Sequence, residues 1–139
     1  MSQLISVIGS GTMGSGIAQV VASNGCQVTI VDSSQSALEY SQSKLKSILN
    51  RLVEKGKISE EESQHIISNI KWTSEMKNIS NSTLVIEAIV ENLEIKQNLF
   101  SEMESLVSDD CILATNTSSL SVSKIASVCK LKSRIMGVH

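Results

Sequence analysis

The chain has 139 residues, 41% of them hydrophobic and 19% charged, the length and balance of one globular domain with a core of its own. A net charge of −2 with scattered basic residues, and a single Trp, Tyr and Phe to stack on bases, argue against nucleic acid as a partner. No run approaches the roughly 20 apolar residues of a membrane span, no leader-type segment opens the chain, and Cys26, Cys111 and Cys129 lack the spacing of a disulfide framework or metal site, so the expectation is a cytoplasmic protein with reduced thiols, no metal and no membrane partner.

Leu4-Ile5-Ser6-Val7-Ile8 is apolar and β-branched, which predicts a buried parallel strand. The loop Gly9-Ser10-Gly11-Thr12-Met13-Gly14 follows, then a helical stretch through Ile17 and Val21 that Asn24-Gly25 stops. Val28-Thr29-Ile30-Val31 predicts a second strand with Asp32 at its carboxyl end. Between a strand and a helix, with an acid about 20 residues on, G-x-G-x-x-G is a dinucleotide-binding fingerprint. Gly9 turns the chain out of the strand, Gly11 lets backbone approach a pyrophosphate, and Gly14, with Gly16 as a possible extension, lets the helix lie against the strand. Thr12 and Met13 begin that helix, whose free N–H groups and partial positive charge suit the phosphates. Asp32 can accept ribose hydroxyls and would repel a 2′-phosphate, so NAD is expected rather than NADP.

Ser33 and Ser34 can cap a helix running to about Glu54, with Leu38, Leu45, Ile48, Leu49 and Leu52 on one stripe. Lys55-Gly56-Lys57 ends it, and Ser59-Glu60-Glu61-Glu62 has the capping-box pattern that starts another helix carrying His65. This helical hairpin exceeds a minimal crossover, so it reads as an insertion of the kind that carries specificity. A short strand at 70–72 and a helix or turn at 74–78 lead to the clearest later strand, 83–88, whose end carries Glu87. A helix follows from about Leu93 to Leu106, with Leu93, Lys96, Gln97, Phe100 and Glu104 on successive turns. Residues 111–114 predict another strand, Asn116-Thr117-Ser118-Ser119-Leu120 a polar loop, 122–128 a short helix and 134–138 a last strand before His139.

Strand and helix alternate throughout, which predicts an α/β, doubly wound, mostly parallel sheet of Rossmann type with the hairpin inserted after its second strand. Ligands bind beyond the carboxyl ends of such strands. Asp32, Glu87, Glu91, residues 116–119 and His139 should gather at that edge. Glu87 reads as a plain strand-end acid, and Lys55 and Lys57 serve equally well as surface charges or phosphate contacts.

The chain resembles the NAD-binding half of the 3-hydroxyacyl-CoA dehydrogenases, of the short bacterial 3-hydroxybutyryl-CoA type. Four segments carry the likeness: Val7 through Gln19 around the glycine loop, Val53-Glu54-Lys55-Gly56-Lys57, Glu87-Ala88-Ile89-Val90-Glu91-Asn92, and Ala114 through Leu120, with Gly137-Val138-His139 matching the start of a family motif. The resemblance implies His139 as the general base, Ser118 as the residue binding the substrate hydroxyl, Asn116 and Glu91 at the nicotinamide, Lys96 as a neighbouring cofactor contact, and Lys55 or Lys57 at the phosphates of CoA. Imidazole suits a base that works near neutral pH. The family continues beyond this histidine into a helical substrate and dimerisation domain, so residues 1–139 are expected to be an NAD-binding domain that is inactive alone, from a parent that is a homodimer. A 3-hydroxyisobutyrate-type or sugar-nucleotide dehydrogenase could share the glycine loop, but those families lack the 116–120 pattern and use a lysine or cysteine at the chemistry. A non-catalytic, crystallin-like protein on the same scaffold would have no need of the polar edge.

Overall fold

Short strands alternate with helical segments along the chain, and such crossovers return each strand parallel to its neighbours. The computed structural model describes residues 3–117 and 120–138. Its strands are β1 (Leu4–Ile8), β2 (Gln27–Val31), β3 (Ile70–Thr73), β4 (Leu84–Glu87), β5 (Ile112–Thr115) and β6 (Ile135–Gly137). They form one parallel sheet in the order β3-β2-β1-β4-β5-β6. The strand order reverses between β1 and β4, which makes their carboxyl ends the crevice of a doubly wound sheet.

Side chains alternate across the sheet. Val7, Val28 and Ile30 pack with Ala18, Leu38 and Leu49, while Ile8, Val31, Val85 and Leu113 pack with Phe100, Met103 and Ile125. The first face is covered by α1 (Thr12–Ser23), α2 (Gln35–Glu54) and α3 (Glu60–Ser68), and the second by α4 (Leu93–Leu106) and α5 (Val122–Ala126). The helices start where the sequence supplies caps. Ser34 accepts from the Ala37 amide at 3.2 Å, Asn92 from Ile95 at 3.0 Å, and Ser59 with Glu62 closes the expected capping box. Gly56, at φ +72°, closes α2 in the left-handed region that its composition predicts.

The differences from expectation are at element ends. The 74–78 segment is a 3-10 turn at Met76–Ile79, and α5 stops at Ala126, where Ser127 donates its hydroxyl to the Lys124 carbonyl at 2.7 Å. Gly16 does not extend the helix–strand contact, because a Cβ there would meet nothing within 4 Å. Gly14 alone makes it: a Cβ would lie 2.0 Å from the Gly9 carbonyl oxygen and 3.4 Å from Val7. Among the described residues no helix is long and apolar enough to cross a membrane, no group of His, Cys, Asp and Glu could hold a metal, and Cys26, Cys111 and Cys129 are free thiols.

Candidate functional site

The carboxyl end of β1 carries the first part of the site. Gly9 turns out of the strand at φ +106° and donates its amide to Val31 at 2.8 Å, which sets the loop beside the end of β2. Asp32 follows Val31 and is gripped by that loop. Ser10 gives its Oδ2 both an amide bond of 3.0 Å and a hydroxyl bond of 2.7 Å, and the Ser34 amide reaches Oδ1 at 2.9 Å. Partial burial would raise the pKa of Asp32, but the bonds from Ser34 and Ser10 favour its charged form and hold it below the usual carboxylate value. An anion is thereby fixed at the rim of the loop.

Beside it, α1 opens on Gly11. No side chain caps the helix and no acid stands in its first turn. A Cβ at Gly11 would meet nothing within 4 Å, so the space in front of the amides is open. Open backbone donors at the positive end of a helix dipole fit a diphosphate, and the adjoining carboxylate fits a ribose diol. These residues therefore suit a dinucleotide without rearrangement of the loop.

The second part joins the ends of β4 and β5. Glu87 is fully buried, and its Oε2 meets the Lys96 ammonium at 2.5 Å and the Ile89 amide at 2.8 Å. Its Oε1 accepts the Thr115 hydroxyl at 2.5 Å. Lys96, 1% exposed, also pairs with Glu91 at 3.0 Å, and the other oxygen of Glu91 accepts the Thr117 hydroxyl at 2.7 Å. The Thr117 amide returns to Thr115 Oγ1 at 3.2 Å, which closes a ring of five side chains. The ring ties the loop after β4 to the loop after β5, and buried polar groups satisfied in this way rigidify what they join. A cavity of about 190 Å³ opens between Glu87, Ile89, Glu91, Lys96 and Asn116.

Gly9 links the two parts. A Cβ on it would stand 2.5 Å from the Ala88 carbonyl oxygen, so the glycine loop lies directly against the end of β4. Gly9, Gly11 and Asp32 lie in the first of these clusters and Glu87, Glu91, Lys96, Asn116 and Thr117 in or beside the second, while Thr12, Met13 and Gly14 form the first turn of α1. Lys96 stands there as a buried ion-pair partner. Ser118, Ser119 and His139 lie outside the described residues. Lys55 and Lys57 are both exposed at the tip of the α2–α3 hairpin, about 30 Å along α2 from Ser34 at 1.5 Å per residue. A cavity of about 340 Å³ between α1 and α2, lined by Gly11, Ser15, Tyr40, Lys44 and Ile48, runs from the glycine loop toward that hairpin. A larger hollow of about 510 Å³, between Glu104, Lys130 and Arg134, lies near the amino ends of β5 and β6 and takes no part in this edge.

Sequence reasoning passes over Ser10 and Thr115 as site residues and places Thr117 only within the polar 116–119 stretch. Ser10 fills a position where the fingerprint asks only for any residue, and nothing local in the chain names a partner for either threonine. Glu87 is more than a strand-end acid, since it accepts from Lys96, Thr115 and the Ile89 amide at once.

The family model for the 3-hydroxyacyl-CoA dehydrogenase NAD-binding domain matches residues 4–139. A 3-hydroxybutyryl-CoA dehydrogenase from Clostridioides difficile is 41% identical over 135 residues, covering 97% of this chain and 48% of that protein. One from Mycobacterium tuberculosis is 36% identical over 138 residues, covering 99% and 48%. The crystal structure of a 3-hydroxybutyryl-CoA dehydrogenase from Escherichia coli superposes with a TM-score of 0.97 at 37% identity, covering 100% of this chain and 29% of that one. The chain spans about half the length of the two curated relatives it matches here.

Proposed function

The chain belongs to the 3-hydroxyacyl-CoA dehydrogenase family as its NAD-binding domain, and from that premise we propose that it serves the interconversion of a 3-hydroxyacyl-CoA and its 3-oxo form. The observation that carries this reading is the charged, loop-held Asp32 beside the uncapped start of α1. In this role Asp32 accepts the adenosine ribose hydroxyls, and the amides after Gly11 receive the diphosphate. Glu91, Lys96 and Asn116 shape the nicotinamide side, with Glu91 and Asn116 facing the 190 Å³ cavity. When bound, NAD supplies the hydride acceptor. His139 takes the proton of the 3-hydroxyl, Ser118 binds that hydroxyl, and Lys55 or Lys57 meets the phosphates of CoA, as in the family the chain resembles. In the parent enzyme, pairing into a homodimer falls to chain beyond this length.

The test is cofactor binding. The protein should bind NADH in preference to NADPH. Asp32→Ala should remove charge-assisted bonds of about 1.5–3 kcal/mol, a loss of roughly 10- to 150-fold in NADH affinity. Titration calorimetry measures both, and equal affinity of the unmodified protein for NADPH would sink the reading.

Turnover is a separate expectation. The loop at the carboxyl end of β4 is open to water, with Val90 64% exposed, whereas hydride transfer needs a closed site and reacting groups held to within about 1 Å, a lapse in which can cost 10²-fold. A polypeptide of residues 1–139 should therefore oxidise NADH with acetoacetyl-CoA at least about 10²-fold more slowly than the Clostridioides difficile relative. Rates within tenfold of each other would show that these residues suffice for catalysis.

A further inference from the structure

The dinucleotide fingerprint leaves the residue between its first two glycines unspecified, yet in this chain that residue does something definite. Ser10 is 5% exposed. Its amide and its hydroxyl converge on one oxygen of Asp32, at 3.0 and 2.7 Å. It is also held from behind. The Ser15 hydroxyl donates to the Ser10 carbonyl at 2.8 Å, Ser15 shares a 2.7 Å hydrogen bond with Ser41 of α2, and the Trp72 indole of β3 donates to Ser41 at 3.4 Å. The grip on Asp32 is thus anchored in three elements of the fold.

We infer that Ser10 is a positioning residue for cofactor choice: its hydroxyl, added to the amide that any residue would supply, fixes the Asp32 carboxylate against the loop and keeps it an acceptor for ribose and a barrier to a 2′-phosphate. The inference rests on the proposed role of Asp32 at the ribose. Its physical content is that three donors meet one carboxylate. Such bonds favour the charged form, and protonating the acid would replace an acceptor with a donor and set it against them. The hydroxyl therefore extends NAD recognition toward acid pH, where an unassisted aspartate would lose both its attraction for ribose and its repulsion of phosphate.

No ion pair of the described residues competes with this. α1 carries no charged side chain. Glu39, Lys44, Lys46, Arg51 and Glu54 on α2, Lys71 on β3, and Glu75 and Lys77 beyond it are the charged groups of the neighbouring elements, and none is within ion-pair distance of Asp32. Lys77 pairs with Glu75 at 3.5 Å.

The experiment measures the affinity of ADP-ribose, which has the ribose and diphosphate and is stable in acid, from neutral to acid pH. The unmodified protein is compared with Ser10→Ala, Ser15→Ala and Asp32→Asn. Ser10→Ala should raise the pH at which affinity is half lost by about 1, the equivalent of one charge-assisted bond. Ser15→Ala loosens the loop from behind but leaves both bonds to Asp32, so its profile should move clearly less than that of Ser10→Ala. A Ser10→Ala profile that does not move, or an equal shift in Ser15→Ala, overturns the inference. Asp32→Asn should abolish the acid limb; if it leaves both limb and affinity unchanged, it is the assignment of Asp32 to ribose that fails. A carboxyl-carbon NMR titration of the unliganded protein needs no variant, and an Asp32 midpoint at or above the ordinary carboxylate value would also overturn the inference.

Discussion

Replacing Lys96 by methionine should destabilise the protein by about 3–5 kcal/mol, the usual cost of removing one partner from a buried ion pair. Methionine fills the same slot on α4, so lost packing contributes little. What remains is Glu87, fully buried, with its Oε2 deprived of the ammonium 2.5 Å away. The hydrogen bonds from Ile89 and Thr115 persist but do not neutralise a charge removed from water. The double variant Glu87→Gln/Lys96→Met should recover most of the loss. The one carbonyl oxygen of glutamine accepts from the Ile89 amide and its NH2 donates to the Thr115 hydroxyl oxygen, so no buried charge is left, while Glu91, 41% exposed, is open to solvent. Urea unfolding at constant slope gives both numbers. A single variant within about 1 kcal/mol of the parent would mean that the pair is a solvated one.

The same lysine shows where sequence reasoning reaches its limit. The start of the fold is legible because its signals are local: an apolar strand, glycines at fixed spacing, an apolar helix and an acid at the end of the next strand all fall within residues 4–32. The capping box at Ser59 and the turn at Gly56 are legible for the same reason. Lys96 is different. It lies three residues after Leu93 and four before Phe100, on the stripe that the helix buries, and a lysine there demands an acid partner. The likeness to a family directs attention to the cofactor, while the periodicity alone points inward. Glu87 closes an apolar strand and is the partner that periodicity would have found. The bonds that Thr115, Thr117 and Ser10 make are beyond this reasoning. Their partners stand 28, 26 and 22 residues away in the chain, and only the sheet order brings β1 between β2 and β4 and β5 beside β4.

Gly9→Ala tests the joint between the two halves of the site and should be as damaging as the loss of Lys96. Two independent penalties apply. At φ +106° Gly9 lies where an L side chain is strained by roughly 1–3 kcal/mol. The new methyl would also stand 2.5 Å from the Ala88 carbonyl oxygen and 3.1 Å from its carbon. That obstacle is backbone, and it cannot swing aside: the Ala88 amide is bonded to Ile8 at 2.9 Å and the Gly9 amide to Val31 at 2.8 Å. Relief requires β1 and β4 to part at the carboxyl edge, and overpacking of this kind costs a further 1–3 kcal/mol or so. The total is about 2–6 kcal/mol of stability. Gly11→Ala makes the contrast, because a Cβ there meets nothing within 4 Å. It should unfold at nearly the parent's urea midpoint while losing affinity for NADH, since its methyl enters the space left for the diphosphate. Should Gly9→Ala keep the parent's stability instead, the glycine loop and the end of β4 are not in contact, and the site is two separate halves.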